Sequence, residues 1–141
     1  MISGGIDSPV AAAMVSQEKD VVPLHFVLHP YYCQDNLALT MEVIRKLRKV
    51  SSFDEMVLFP LGSVLQKIFS SLEEKNKREY SCVLCRKAMF ESASLVCDMV
   101  DASSITTGES IGQKASQTLE NLETTSWDLK YPILRPLVGM D

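Results

Sequence analysis

The chain has 141 residues, of which 46% are hydrophobic, and its 14 basic and 18 acidic residues give a net charge of −4. This length supplies one substantial core and is short for two ordinary domains, so a single domain over residues 1–141 is predicted. The longest apolar stretches, residues 21–28 and 56–61, have the length of strands and fall far short of the roughly 20 residues of a membrane-spanning helix. These observations predict a cytoplasmic protein and argue against a membrane protein.

The first predicted element is a loop that opens a helix over residues 8–18. Residues 3–8 read Ser-Gly-Gly-Ile-Asp-Ser, and the two glycines allow the backbone to approach a phosphate closely. The first amide N–H groups of the helix lack intrahelical partners, and Pro9 fits the first turn because its missing N–H costs nothing there. Asp7 would repel a bare polyphosphate, so it indicates a Mg²⁺ bridge or an orienting role toward backbone amides. The alternative is an ordinary glycine turn capped by Ser or Asp.

The rest of the chain predicts alternating strands and helices. Strands are predicted at 21–28, 56–61, 104–107 and 132–137, and helices at 37–50, 63–75, 81–101 and 117–122. This alternation is typical of parallel βαβ units, so we predict an α/β fold with a doubly wound, mostly parallel sheet and helices on both faces. Because a phosphate-binding turn of this kind follows a buried strand of about five residues, residues 1–2 are predicted to be the end of a truncated first strand.

In a doubly wound sheet the ligand lies beyond the carboxyl ends of the strands. The segments predicted to reach this edge are the loop of residues 3–8, His25 with Phe26, and Gly108 with Glu109. His25 and Phe26 suit an adenine or ribose, as a hydrogen-bonding group and a flat apolar wall, or they simply pack the sheet. Gly108 would let a nucleotide approach, and Glu109 would hold Mg²⁺ or orient a substrate.

Cysteines stand at positions 33, 82, 85 and 97, which favours free, metal-bound or redox-active thiols over a disulfide framework. Cys82 and Cys85 form a Cys-x-x-Cys pair followed by Arg86 and Lys87. The two cations are expected to lower the thiol pKa, which suits disulfide exchange or a persulfide, although two packed thiols would give the same pattern. The Arg86 guanidinium would neutralise phosphate charge, or it is a solvated charge on a helix face.

The loop sequence resembles the SGGxDS signature of the PP-loop ATP pyrophosphatases, which adenylate a carbonyl oxygen. Five further segments narrow the resemblance to the PP-loop domain of the tRNA 4-thiouridine synthetases, the tRNA sulfurtransferases of the ThiI type that are also linked to thiamine biosynthesis. They are Ser-Pro-Val-Ala at 8–11, Cys-Val-Leu-Cys-Arg-Lys-Ala-Met at 82–89, Thr-Gly-Glu-Ser-Ile-Gly-Gln at 107–113, Ala-Ser-Gln-Thr-Leu-Glu-Asn-Leu at 115–122 and Leu-Arg-Pro-Leu at 134–137. The resemblance spans nearly all of the chain.

This resemblance implies an enzyme that uses ATP and Mg²⁺ to adenylate uridine in tRNA, followed by sulfur transfer that gives 4-thiouridine, and a link to thiamine thiazole synthesis. It implies catalytic roles for Asp7, Arg86, Cys82 and Cys85. It implies nucleotide contacts at Met1, Ile2, Ser3, Gly4, Gly5, Asp7, Ser8, His25, Phe26, Arg86, Gly108 and Gln117. In members without a rhodanese domain the Cys82 and Cys85 positions are associated with an iron–sulfur cluster or a redox role, and the further cysteine of that type lies beyond Asp141.

The resemblance also implies partners. A net negative charge disfavours RNA binding, so most of the tRNA contacts are expected outside this chain, where the family carries a THUMP module. A cysteine desulfurase or another persulfide donor is expected as sulfur source, a homodimer is compatible, and no membrane partner is expected. Two other functional hypotheses remain: an ATP-dependent amide- or thiocarbonyl-forming enzyme acting on a small metabolite, and a non-catalytic nucleotide-binding module.

Overall fold

The computed structural model describes residues 1–31, 35–111 and 118–140. Helices and strands alternate in the predicted order, which is α1 (Asp7–Val15), β1 (Leu24–Val27), α2 (Asp35–Leu47), β2 (Val57–Pro60), α3 (Gly62–Glu74), α4 (Ser81–Val100), β3 (Ile105–Thr106), α5 (Leu119–Ser126) and β4 (Ile133–Leu134). A 3₁₀ turn at Arg78–Tyr80, which the sequence did not predict, leads into α4. The strands are shorter than predicted because the apolar runs extend beyond the residues that pair.

Two parallel strand pairs form the sheet. In the pair of β1 and β2, Leu24 lies opposite Val57, and in the pair of β3 and β4, Ile105 lies opposite Ile133. Residues 1–2 lie between the pairs, because the Ile2 amide donates to the Leu24 carbonyl oxygen at 2.7 Å and the Met1 nitrogen donates to the Thr106 carbonyl oxygen at 2.7 Å. The spatial order is therefore β2, β1, residues 1–2, β3, β4, which confirms the predicted doubly wound α/β arrangement.

Two separate hydrophobic clusters cover the sheet. The larger one joins α3 and α4 to β1 and β3, and its buried members are Leu24, Phe26, Leu61, Leu65, Phe90, Ala93, Val96, Cys97 and Ile105. The smaller one joins α1 and α2 to the strand-like segment through Ile2, Ile44 and Leu47, with Ala12 and Ala13 packed against them. Because the helices divide between two clusters, they pack on both faces of the sheet, as the alternating pattern predicted.

The longest helix, α4, connects the two halves of the sheet. Its buried residues Phe90, Ala93, Val96 and Cys97 follow helical spacing and belong to the larger cluster. The chain crosses with this helix from β2 at one edge to β3 on the other side of residues 1–2. The loops after residue 2 and after β3 both line a crevice at the carboxyl ends of the strands.

Across residues 1–31, 35–111 and 118–140, the helices are all too short or too polar to cross a bilayer.

Candidate active site

A cavity of about 1070 Å³ occupies the crevice at the carboxyl ends of residues 1–2, β1 and β3. The sequence-predicted residues that line it are Met1, Ile2, Ser3, Gly4, Gly5, Asp7, Ser8, His25, Phe26, Arg86 and Gly108. Gln117 and Ser116 lie outside the described residues. The lining combines backbone at a helix start, a carboxylate and a guanidinium, which suits a ligand with an anionic part and a flat apolar part.

The loop of residues 3–8 is held in shape by its two serines. The hydroxyl of Ser8 accepts a hydrogen bond from the Ser3 amide at 2.9 Å, and the two hydroxyl oxygens lie 3.0 Å apart. Helix α1 begins at Asp7, and Ile6 before it provides no side-chain cap. The amides of the first turn are thereby presented at the cavity, with the positive end of the helix dipole, which is the arrangement that binds phosphate.

Two glycines are required because other parts of the chain approach them closely. A Cβ at Gly108 would lie 2.5 Å from the Ser8 nitrogen, and a Cβ at Gly4 would lie 2.8 Å from the Leu39 Cβ atom. These distances leave no room for a side chain at either position. Gly108 also lines the cavity, so its predicted role in letting a nucleotide approach stays a prediction, and the close approach of the phosphate loop (residues 3–8) is a second reason for glycine there.

His25 and Phe26 line the cavity, yet both side chains are buried in protein contacts. His25 Nδ1 lies 3.1 Å from the Ile2 carbonyl oxygen, and because a carbonyl only accepts, Nδ1 carries the hydrogen of this bond. The Phe26 ring packs edge-on against Phe59, with 5.8 Å between ring centroids. We therefore expect the backbone at these two positions to meet a ligand, whereas the prediction gave this role to the rings as well.

An acidic side chain joins two arginines beside the cavity. Arg86 Nε lies 2.9 Å from Oε1 of Glu109, and Arg135 Nε donates a hydrogen bond of 2.8 Å to Oε2. The side chain of Glu109 is only 8% exposed. With a guanidinium at each oxygen, Glu109 is poorly suited to hold Mg²⁺, which was one of its predicted roles.

The two cysteines of the Cys-x-x-Cys pair lie in the first turns of α4, outside the cavity lining. Cys82 is exposed and Cys85 is half-buried. Burial raises the pKa of the Cys85 thiol, the neighbouring Cys82 raises it further, and Arg86 lowers it only in part. The expectation that the cations would lower the thiol pKa is therefore wrong for Cys85, because burial outweighs the charge of Arg86.

Metal binding by the two cysteines finds little support in this geometry. The described ranges contain no group of three or more His, Cys, Asp or Glu side chains that would hold a metal ion. Cys97 is buried in the larger cluster, where burial raises its pKa, and Cys33 lies outside the described residues. The described thiols thus do not fit a four-cysteine iron–sulfur site.

Several lining residues were not predicted from the sequence. Asn36, Leu37 and Ala38 line the cavity from the start of α2, and Met89 does so from α4. Met89 stands three residues after Arg86, so the helical spacing of α4 would have identified it. The start of α2 carried no comparable signal, because its place beside the loop depends on the contact between Leu39 and Gly4.

The fold and the site together define a phosphate-loop α/β domain of the nucleotide-binding class. A glycine loop opens a helix at the switch point of a doubly wound sheet, and the cavity there is lined by both. The family model described as thiamine biosynthesis protein (ThiI) matches residues 1–141. The chain belongs to this family, which confirms the resemblance found in its motifs.

Individual relatives agree with this assignment. Probable tRNA sulfurtransferases of Methanocaldococcus jannaschii and Saccharolobus islandicus are 36% and 39% identical to the chain. Each match includes 100% of this chain and 36% of the relative. A crystal structure of a 4-thiouridine synthetase–RNA complex with bound ATP superimposes with a TM-score of 0.88 at 30% identity, over 100% of this chain and 36% of that one. The chain thus spans about a third of the length of these relatives.

The cysteine environments predict different reactivities. We expect iodoacetamide to alkylate exposed Cys82 faster than Cys85 at neutral pH, because a raised pKa keeps more of the Cys85 thiol protonated at any given pH. Peptide mass spectrometry over about pH 7 to 10 should place the midpoint of Cys85 alkylation above that of an unperturbed cysteine. The Cys85→Ser variant serves to assign the signal. A Cys85 midpoint below that of free cysteine would contradict the account.

Proposed function

We propose that this protein is a tRNA sulfurtransferase that uses ATP to convert a uridine of tRNA into 4-thiouridine. The observation that carries the proposal is the single cavity that gathers the Ser3-to-Ser8 loop, the end of β1 and Arg86. The relatives named tRNA sulfurtransferase and the ATP-bound 4-thiouridine synthetase support it. A non-catalytic nucleotide-binding module is disfavoured, because Asp7 and Arg86 are both present at the cavity.

The first step activates the base. The loop amides and the start of α1 hold the pyrophosphate portion of ATP, and Arg86 stabilises the charge that develops at the α-phosphate. The O4 oxygen of uridine attacks the α-phosphorus, the bond to the β-phosphate oxygen breaks, and pyrophosphate leaves. Asp7 is exposed at the cavity, where its carboxylate would be a ligand for a Mg²⁺ ion that neutralises phosphate charge.

The second step replaces oxygen by sulfur. The terminal sulfur of a cysteine persulfide attacks C4 of the adenylated uridine, and AMP leaves with the original O4 oxygen. A second thiol then attacks the sulfur–sulfur bond, which releases 4-thiouridine and leaves a disulfide for an external thiol to reduce. Within this scheme Cys82 is the better carrier, because its thiol is exposed, and Cys85 stands one turn away as the second thiol.

The charge of the chain and its family support proposals for the remaining partners. A chain of net charge −4 gives little phosphate attraction, so the tRNA is held mainly by parts of the protein outside this chain. The persulfide comes from a cysteine desulfurase or another donor in the cytoplasm. The family description names thiamine biosynthesis, and sulfur transfer to that end would use the same adenylation with another acceptor.

We expect Asp7→Asn to reduce ATP-dependent pyrophosphate release by the intact protein about 10²-fold or more, because it removes the charge that would hold Mg²⁺ at the phosphates. The melting temperature should stay close to that of the wild type, because Asp7 is exposed. Asp20→Asn is the matched control, since Asp20 is also exposed and lies outside the cavity lining. Equal pyrophosphate release by Asp7→Asn and wild type would exclude the proposed role.

Sulfur transfer should separate from adenylation in Cys82→Ser. We expect this variant of the intact protein to release pyrophosphate at close to the wild-type rate and to form 4-thiouridine about 10²-fold more slowly, because a nucleophile is lost while the cavity is unchanged. Nucleoside analysis by mass spectrometry measures the product. Cys97→Ala is the control, because Cys97 is a buried cysteine of the core. Full thiolation by Cys82→Ser would assign the sulfur carrier to another cysteine.

A further inference from the structure

The side chains of Arg86, Glu109 and Arg135 form a largely buried charged cluster beside the cavity. They are 18%, 8% and 16% exposed, and they come from three different segments: α4, the end of β3 and the end of β4. The two arginines meet opposite oxygens of the one carboxylate. Burial of these charged side chains costs desolvation free energy, so a contribution to stability alone does not explain the cluster.

The Arg135 side of the cluster is fixed by the protein. Its Nη2 group donates a hydrogen bond of 2.6 Å to the Ser126 hydroxyl of α5. Its guanidinium carbon also lies 5.9 Å from the centroid of the Phe90 ring, which is fully buried in α4. Because Arg135 also donates to Glu109, these contacts hold the carboxylate in one orientation.

The backbone of Glu109 is fixed as well. The amide of Thr107 donates to the Leu134 carbonyl oxygen at 3.0 Å, which ties the end of β3 to β4. Gly108 then packs against the backbone of Asp7 and Ser8. The position of Glu109 is thereby set by the same contact that sets the phosphate loop.

The two arginines of the cluster differ in their access to the cavity. Arg86 and Glu109 both line the cavity, whereas Arg135 does not. Oε1 of Glu109 accepts no aligned hydrogen bond from the described residues, although Arg86 Nε lies at ion-pair distance. Arg86 thus meets the carboxylate through its Nε atom and also lines the cavity.

We propose that Glu109 is a positioning residue that fixes the Arg86 guanidinium at the phosphate end of the cavity, with Arg135 as its buried counter-charge. The proposal rests on the proposed use of ATP. Two arginines against one carboxylate leave the cluster with one net positive charge, so Glu109 orients Arg86 without cancelling the attraction for an anion. Loss of the ion pair with Glu109 would let the Arg86 guanidinium shift, and displacement by about 1 Å is enough to cost 10²-fold in rate.

A double-mutant cycle on the intact protein tests the proposal. We expect Glu109→Gln to reduce kcat/KM for ATP-dependent pyrophosphate release about 10-fold to 10²-fold, and Arg86→Met to reduce it at least as much. In the Arg86→Met background, Glu109→Gln should add less than about 2-fold, because its effect acts through Arg86. Glu91→Gln is the matched control: Glu91 is an exposed carboxylate of α4 that lies 4.0 Å from Lys87 and outside the cavity.

Loss of the carboxylate leaves two cations close together, so a second variant separates positioning from folding. Glu109→Gln combined with Arg135→Gln removes the surplus charge and lets two amides hydrogen-bond in its place. We expect the combined variant to regain melting temperature but not kcat/KM, because the Glu109 carboxylate that positions Arg86 is still absent. Recovery of kcat/KM together with melting temperature would overturn the proposal and leave Glu109 with a structural role.

Other outcomes are equally decisive. Tighter ATP binding by Glu109→Gln would overturn the proposal, because the carboxylate would then act as a repulsive charge. Additive losses from Glu109→Gln and Arg86→Met would also overturn it. A wild-type protein that neither binds ATP nor releases pyrophosphate refutes the proposed function itself, and that result is distinct from a failed cycle in an active enzyme.

Discussion

The structure depends on the close packing of the phosphate loop between two other segments. Gly108 packs against the backbone of Asp7 and Ser8 on one side, and Gly4 packs against Leu39 of α2 on the other. These approaches are closer than a side chain allows, so the loop, the end of β3 and the start of α2 take fixed positions relative to one another. The cavity is the space that remains between them, and the placement of Glu109 beside it follows from the same contact.

Helix α4 connects this cavity to Cys82, the cysteine that we propose as the sulfur carrier. Cys82 and Arg86 are four residues apart, which puts them on one face of the helix and about 6 Å apart along its axis. The same helix carries Phe90 and Val96 into the larger core cluster, so its orientation is set by burial. An exposed thiol and a charge at the cavity are thus held on one rigid element, one turn apart.

Much of the architecture could be predicted from the sequence, because the apolar pattern alternates between strand and helix periods and the loop of residues 3–8 has few other uses. The missed features depend on contacts between distant residues. The rings of His25 and Phe26 turn into the protein because Ile2 and Phe59 lie beside them. The raised pKa of Cys85 comes from burial, and the pairing of Arg135 with Glu109 joins residues that only the folded sheet brings together.

The central claim is that the cavity directs a uridine oxygen at the α-phosphorus of ATP. The most direct test follows that oxygen: tRNA labelled with ¹⁸O at O4 of its uridines is incubated with the intact protein, ATP and a persulfide donor, and the AMP and pyrophosphate are analysed by mass spectrometry. The account predicts that the label appears in AMP in equal amount to the 4-thiouridine formed, with none in pyrophosphate. Unlabelled AMP formed alongside 4-thiouridine would contradict it.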